Sequence, residues 1–69
     1  MENEVKRIRD SMGLSQTQFA MRFGIKLSTL RKWEQGKRQP DSAALTYLRV
    51  IEKIPEVVAS AVAQLILVE

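Results

Sequence analysis

The sequence predicts an all-α fold of about five helices, and three observations carry that prediction. Apolar residues recur at three- and four-residue spacing from Val5 onward, and no alternating strand pattern appears before the C-terminal tail. Helix-stopping residues fall between the apolar runs: Gly13, Gly24, Gly36, Pro40 and Pro55. Good N-caps, Ser15 and Asp41, stand just ahead of two of the runs.

Val5, Ile8 and Met12 make Asn3 to Met12 a first amphipathic helix, and Gly13 supplies a left-handed stop. Ser15 with Gln18 three residues later forms a capping box for the second helix. Phe19, Ala20 and Phe23 give that helix its buried stripe, and Gly24 ends it. Leu30 and Trp33 mark a third helix stopped by Gly36, after which Lys37-Arg38-Gln39-Pro40 is a loop. Asp41 caps a fourth helix from Ser42 to about Lys53, with Leu45, Leu48 and Ile51 on its buried face. Ile54-Pro55 breaks it, and Pro55 suits the first turn of a fifth. No internal repeat, low-complexity stretch or linker is present, so residues 1–69 are read as one domain.

Composition excludes much chemistry. With 69 residues the chain buries only roughly 60% of the surface its unfolded form exposes, so its core is marginal. Cysteine and histidine are both absent, which removes disulfides, thiolate metal sites and the commonest general base. No paired acids, nucleophile–base set or phosphate loop is visible, so an enzyme is not expected, nor is a metal or cofactor. A partner subunit is the remaining source of extra stability. The N-terminal MENEVKRIRD lacks the apolar stretch of a signal peptide. The longest uncharged run, Val57 to Val68, is too short to span a bilayer, so the expectation is a cytoplasmic protein with no membrane partner.

Charge is concentrated. Residues 26–38 hold Lys26, Arg31, Lys32, Lys37 and Arg38 against Glu34 alone, a net +4, while the other 56 residues net −1. Such a patch suits a polyanion, with nucleic acid the leading candidate and a solvated basic face the alternative. Between residues 16 and 35, two short helices are joined by Gly24-Ile25-Lys26. Ala20 allows a close crossing, and Phe19, Phe23, Ile25, Leu30 and Trp33 face inward. The far side of the second of these helices then offers Leu27, Ser28, Arg31, Lys32 and Gln35 to solvent, which is how a helix is presented to the major groove of DNA. Trp33 lies on the core side rather than in a base-stacking position, and Tyr47 is on a flank of the fourth helix.

The stretch LSQTQFAMRFGI followed by LRKWEQGKRQP resembles the helix-turn-helix domain of the lambdoid-repressor and Xre-like family, over about Val5 to Glu52. The run WEQGKRQP, with a leucine-rich helix and a proline-headed one after it, looks most like HigA-type antitoxins of type II toxin–antitoxin operons. The resemblance implies a five-helix lambda-repressor-like domain that binds double-stranded DNA. It implies Gln16 near a phosphate at a helix N-terminus and a recognition helix from Leu27 to Gln35. Base contacts then fall to Leu27, Ser28, Thr29 and Lys32, with Thr29 turned partly inward. Lys32 can donate to guanine, Ser28 can serve either kind of base edge, and Leu27 can touch a thymine methyl. Arg31, Lys37 and Arg38 flank the helix and read as phosphate anchors. The family also pairs an arginine late in its first helix with a glutamate late in its third, which here are Arg9 and Glu34. A bidentate pair there ties the recognition helix to the scaffold.

Two departures stand out. Lys26 occupies the place of a Ser or Thr cap, which leaves the recognition helix without a side-chain acceptor at its start. Lys26 can instead reach a phosphate. Antitoxins of this type also often carry a long N-terminal extension around the toxin, whereas here Met1 and Glu2 precede the first helix. The chain is then a trimmed fragment, or its toxin contact lies elsewhere or does not exist.

The C-terminal segment, 55–68, carries Val57, Val58, Ala61, Val62 and Leu65 at helical spacing, with no charge between Glu56 and Glu69. Part of this face is expected to close the core and the rest to form a two-fold homodimer. Leu65 to Val68 suit either helix or a short strand pairing across the axis. One recognition helix reads only about four base pairs, so a dimer on a palindromic operator is expected, with half-sites roughly 34 Å apart. The leading function is a repressor that autoregulates an antitoxin operon, with a cognate toxin as possible partner. Alternatives are a free-standing phage or plasmid repressor, and a protein-binding adaptor of the same fold.

Overall fold

Capping chemistry decides where each helix begins. In the computed structural model, which describes residues 3–68, Asn3 caps α1 (Glu4–Ser11) by accepting the Lys6 N–H on its side-chain oxygen at 3.1 Å. Asn3 and Met12 are therefore the caps of α1 rather than its first and last residues. The expected capping box closes on α2 (Gln16–Phe23): the Gln18 N–H donates to Ser15 Oγ and the Ser15 N–H to Gln18 Oε1. Lys26 precedes α3 (Leu27–Glu34) with no side-chain capping bond, as its chemistry requires. Asp41 caps α4 (Ser42–Lys53) through the Ala44 N–H at 2.8 Å, and α5 runs Pro55–Val68.

The core is assembled from every helix. Val5 and Ile8 of α1, Phe19, Ala20 and Phe23 of α2, Leu30 of α3, Leu48 and Ile51 of α4 and Val58 of α5 are buried together. Met12, Leu14, Ile25, Leu27, Trp33, Tyr47, Ala59 and Val62 pack around them. α1 lies against α3 and α4, while α5 crosses α2 and α4. Leu45, expected on the buried face of α4, is only half-buried. Tyr47 takes the neighbouring position at the core edge, and its hydroxyl donates to the Phe23 carbonyl at 2.6 Å. That bond holds the C-terminal end of α2 against α4.

Leu65 to Val68 continue α5 as helix, so the strand alternative does not hold. A strand needs a neighbour to satisfy its backbone, and there is no strand among the described residues, whereas a helix satisfies its own. The apolar face of α5 is also divided. Val58 is buried and Val62 packs on the core, while Val57 and Leu65 are 63% and 72% exposed. Among the expected dimer residues, Val58 and Val62 are thus committed to the domain's own interior. No helix among the described residues is long and apolar enough to cross a membrane.

Candidate nucleic-acid interface

The turn between α2 and α3 sets the direction of α3. Gly24 ends α2 at φ +68°, a left-handed conformation that L side chains rarely adopt. A Cβ there would also lie 3.3 Å from a Val62 methyl, so α5 presses directly on the turn. Sequence spacing indicates the first requirement but cannot show the second.

α3 is fastened to α1 at two points. Arg9 donates from Nε to Glu34 Oε2 at 2.7 Å and from Nη2 to Oε1 at 2.8 Å, the bidentate pair the family resemblance implies. Arg9 Nη1 also reaches the Leu14 carbonyl, and Gln16 Nε2 donates to Glu34 Oε1 at 3.2 Å. The Arg9 and Glu34 side chains are only 12% and 5% exposed, so solvent screens their contact weakly. Burial opposes the charge of Glu34, but the hydrogen bonds from Arg9 and Gln16 and the Arg9 charge outweigh it. The net effect holds the carboxyl below its ordinary range. The second fastening is Asn3, whose Nδ2 donates to the Trp33 carbonyl at 2.9 Å and to that of Glu34 at 3.4 Å. Sequence reasoning missed this role: helical spacing takes Asn3 only as the first residue of the first helix, and nothing local announces a bond thirty residues away.

With its inner side so held, α3 presents Ser28, Arg31 and Lys32 to solvent, with Gln35 one turn further on. These positions share one stripe. Gly36, at φ +75°, turns the chain back so that the Gly36 N–H donates to the Trp33 carbonyl and the Lys37 and Arg38 N–H groups to that of Lys32. Lys37 and Arg38 are thereby set beside the end of the helix. Lys26, Arg31, Lys32, Lys37 and Arg38 are all exposed, and among the described residues none of the five enters an ion pair.

The remaining expected contacts are placed differently. Leu27 is half-buried and packs on the core, so it is not the fully projecting side chain the helical spacing predicts. Thr29 is half-buried too, in a depression shared with Trp33, Arg38 and Asp41. Gln16 is half-buried at the start of α2 with its amide turned to Glu34.

A model of helix-turn-helix proteins matches residues 5–46, more than half of the chain. The backbone superposes on a crystal structure of an HTH XRE-family like protein from Agrobacterium tumefaciens with a TM-score of 0.85 and 43% identity. That match covers 88% of this chain and 98% of the other. The chain belongs to the Xre-like helix-turn-helix family. This is a family of DNA-binding transcriptional regulators and not a family of enzymes. Two curated relatives are similar to this chain over most of its length. Antitoxin HigA-2 of Vibrio cholerae is 33% identical over 78% of this chain and 52% of its own. The uncharacterized HTH-type transcriptional regulator YiaG of Escherichia coli K12 is 31% identical over 75% of this chain and 54% of its own. The helix-turn-helix chain thus spans about half the length of the curated relatives it matches.

Proposed function

We propose that this regulator is a sequence-specific repressor that binds a palindromic operator as a homodimer and autoregulates an antitoxin operon. The observation that carries the reading is the exposed Ser28–Arg31–Lys32 stripe on a helix fastened from behind by Arg9, Glu34 and Asn3. A rigid helix can hold hydrogen-bonding side chains in register with base edges. Lys32 and Ser28 read bases, assisted by Thr29 and by whatever edge of Leu27 the core leaves free. Arg31, Lys37, Arg38, Lys26 and Gln16 meet phosphates, and for Gln16 that requires sharing its amide with Glu34.

The dimer uses Val57, Ala61 and Leu65, which point away from the core together. Likeness to HigA-2 supports the antitoxin reading and a cognate toxin as partner, in a cytoplasmic setting. Likeness to YiaG, named only as an HTH-type transcriptional regulator, is equally consistent with the second reading, a free-standing phage or plasmid repressor without a toxin partner. Co-purification of the product of the adjacent gene separates the two.

Selection from a random duplex library tests the main proposal. Enrichment of a two-fold symmetric site is expected, and truncation after Pro55 should lose tight binding to it. Selection of no site, or full affinity in the truncated chain, contradicts it.

A further inference from the structure

Away from the DNA-reading face, α4 carries cations and exposed apolar side chains side by side. Leu48 and Ile51 face the core, and the opposite side presents Thr46, Arg49, Val50, Lys53 and Ile54 around a shallow depression of about 300 Å³. Arg49 and Lys53 lie four residues apart, as do Val50 and Ile54, so a cationic stripe runs along an apolar one. Val50 is 39% and Ile54 47% exposed. Arg49 reaches Glu4 at 3.5 Å only across the surface, with 61% of its side chain exposed, and among the described residues Lys53 enters no ion pair.

We propose that this outer face of α4 docks a protein segment of acidic amphipathic character, a helix with apolar anchors over Val50 and Ile54 and carboxylates against Arg49 and Lys53. Three features favour that occupant. The basic segment 26–38 has its cations without any large exposed apolar neighbour, as suits a phosphate backbone, whereas on α4 the two are interleaved. A nucleic acid would leave Val50 and Ile54 without a match. A second copy is disfavoured as well, because a two-fold contact through this face would set one Arg49 and Lys53 stripe against another. The site shares no residue with α3 or with Val57, Ala61 and Leu65, so it stands whether or not the repressor reading does.

The test is amide chemical-shift mapping on the full chain at about 150 mM salt, where long-range attraction is screened. The probe is a synthetic helical peptide with leucines at i, i+3, i+4 and i+7 flanked by glutamates, and its control carries glutamines in their place. Shifts confined to 46–54 are expected, with the glutamate peptide binding at least about tenfold tighter than the control. The double variant Arg49→Gln/Lys53→Gln should abolish that difference, and Val50→Ser should weaken both peptides. All three substituted residues are at the surface, and unchanged circular dichroism checks the fold. Absence of binding overturns the proposal, as does equal affinity for the two peptides or mapping onto 26–38. Displacement of the peptide from 46–54 by duplex DNA would make the face a nucleic-acid contact instead. The peptide results leave operator selection untouched, since that is measured independently.

Discussion

α3 and α5 are joined to the same core by opposite means. α3 buries one large side chain, Leu30, and is fixed by directed bonds from Arg9, Gln16 and Asn3. Among the described residues α5 makes no such bond and rests on Val58, Val62 and Ala59, leaving Val57, Leu65 and Ile66 in water. Directed bonds fix orientation, which a helix reading base edges requires. Apolar contact supplies stability without orientation, and on α5 part of the apolar surface is left exposed. The contrast teaches that the orientation of α3 is fixed within one chain, while the C-terminal helix leaves an apolar face uncovered, the face the proposed dimer uses.

The largest expected effect breaks the directed side. Glu34→Ala strands Arg9 and should cost about 3 kcal/mol in urea unfolding. Glu34→Gln gives the pH signature. Because the folded carboxyl sits below its ordinary value of 4.5, its stabilisation is fully present above that pH and is lost as pH falls through the folded value. The variant should therefore show a shallower acid loss than the parent, while Asp10 and Glu52, paired with Lys6 and Arg7, keep theirs.

Next in size is a pair of neighbours on α5. Val58→Ala should cost about 2 kcal/mol, as a buried side chain does, and Val57→Ala should stay within about 0.5 kcal/mol. Equal costs would erase the division of that helix into an inner and an outer face. A smaller effect joins the two regions. Gly24→Ala should cost about 1–2 kcal/mol for the left-handed backbone, plus whatever Val62 cannot yield. In a Val62→Ala background the crowding disappears and the backbone cost remains, so a partial rescue is predicted. Complete rescue would mean that crowding alone demands glycine.

Much of the fold is legible in the amino-acid sequence. Caps and breakers are local, so Ser15, Gly24, Asp41 and Pro55 place the helix ends within a residue or so. The Arg9–Glu34 pair is legible only through the family resemblance, since nothing in the spacing of two residues 25 apart requires them to meet. Helical periodicity shows which face of a helix is apolar but not what lies opposite it. For that reason Leu27 reads as projecting when it leans on the core, and Val57 and Val58 read as one surface when α2 and α4 cover only the second. The bonds from Asn3 to the Trp33 carbonyl and from Tyr47 to the Phe23 carbonyl are illegible for a related cause. Both are side chains reaching main-chain atoms, and every residue offers a carbonyl.

The most direct test of base reading by α3 compares Lys32→Ala with Lys37→Ala on the selected operator across a range of salt. Lys32→Ala should cost about 1–3 kcal/mol and relax preference at one base position in each half-site. Lys37→Ala should weaken all sequences alike and lower the salt slope by about one. If both variants instead weaken all sequences uniformly, α3 meets only the backbone and the account of a base-reading helix is wrong.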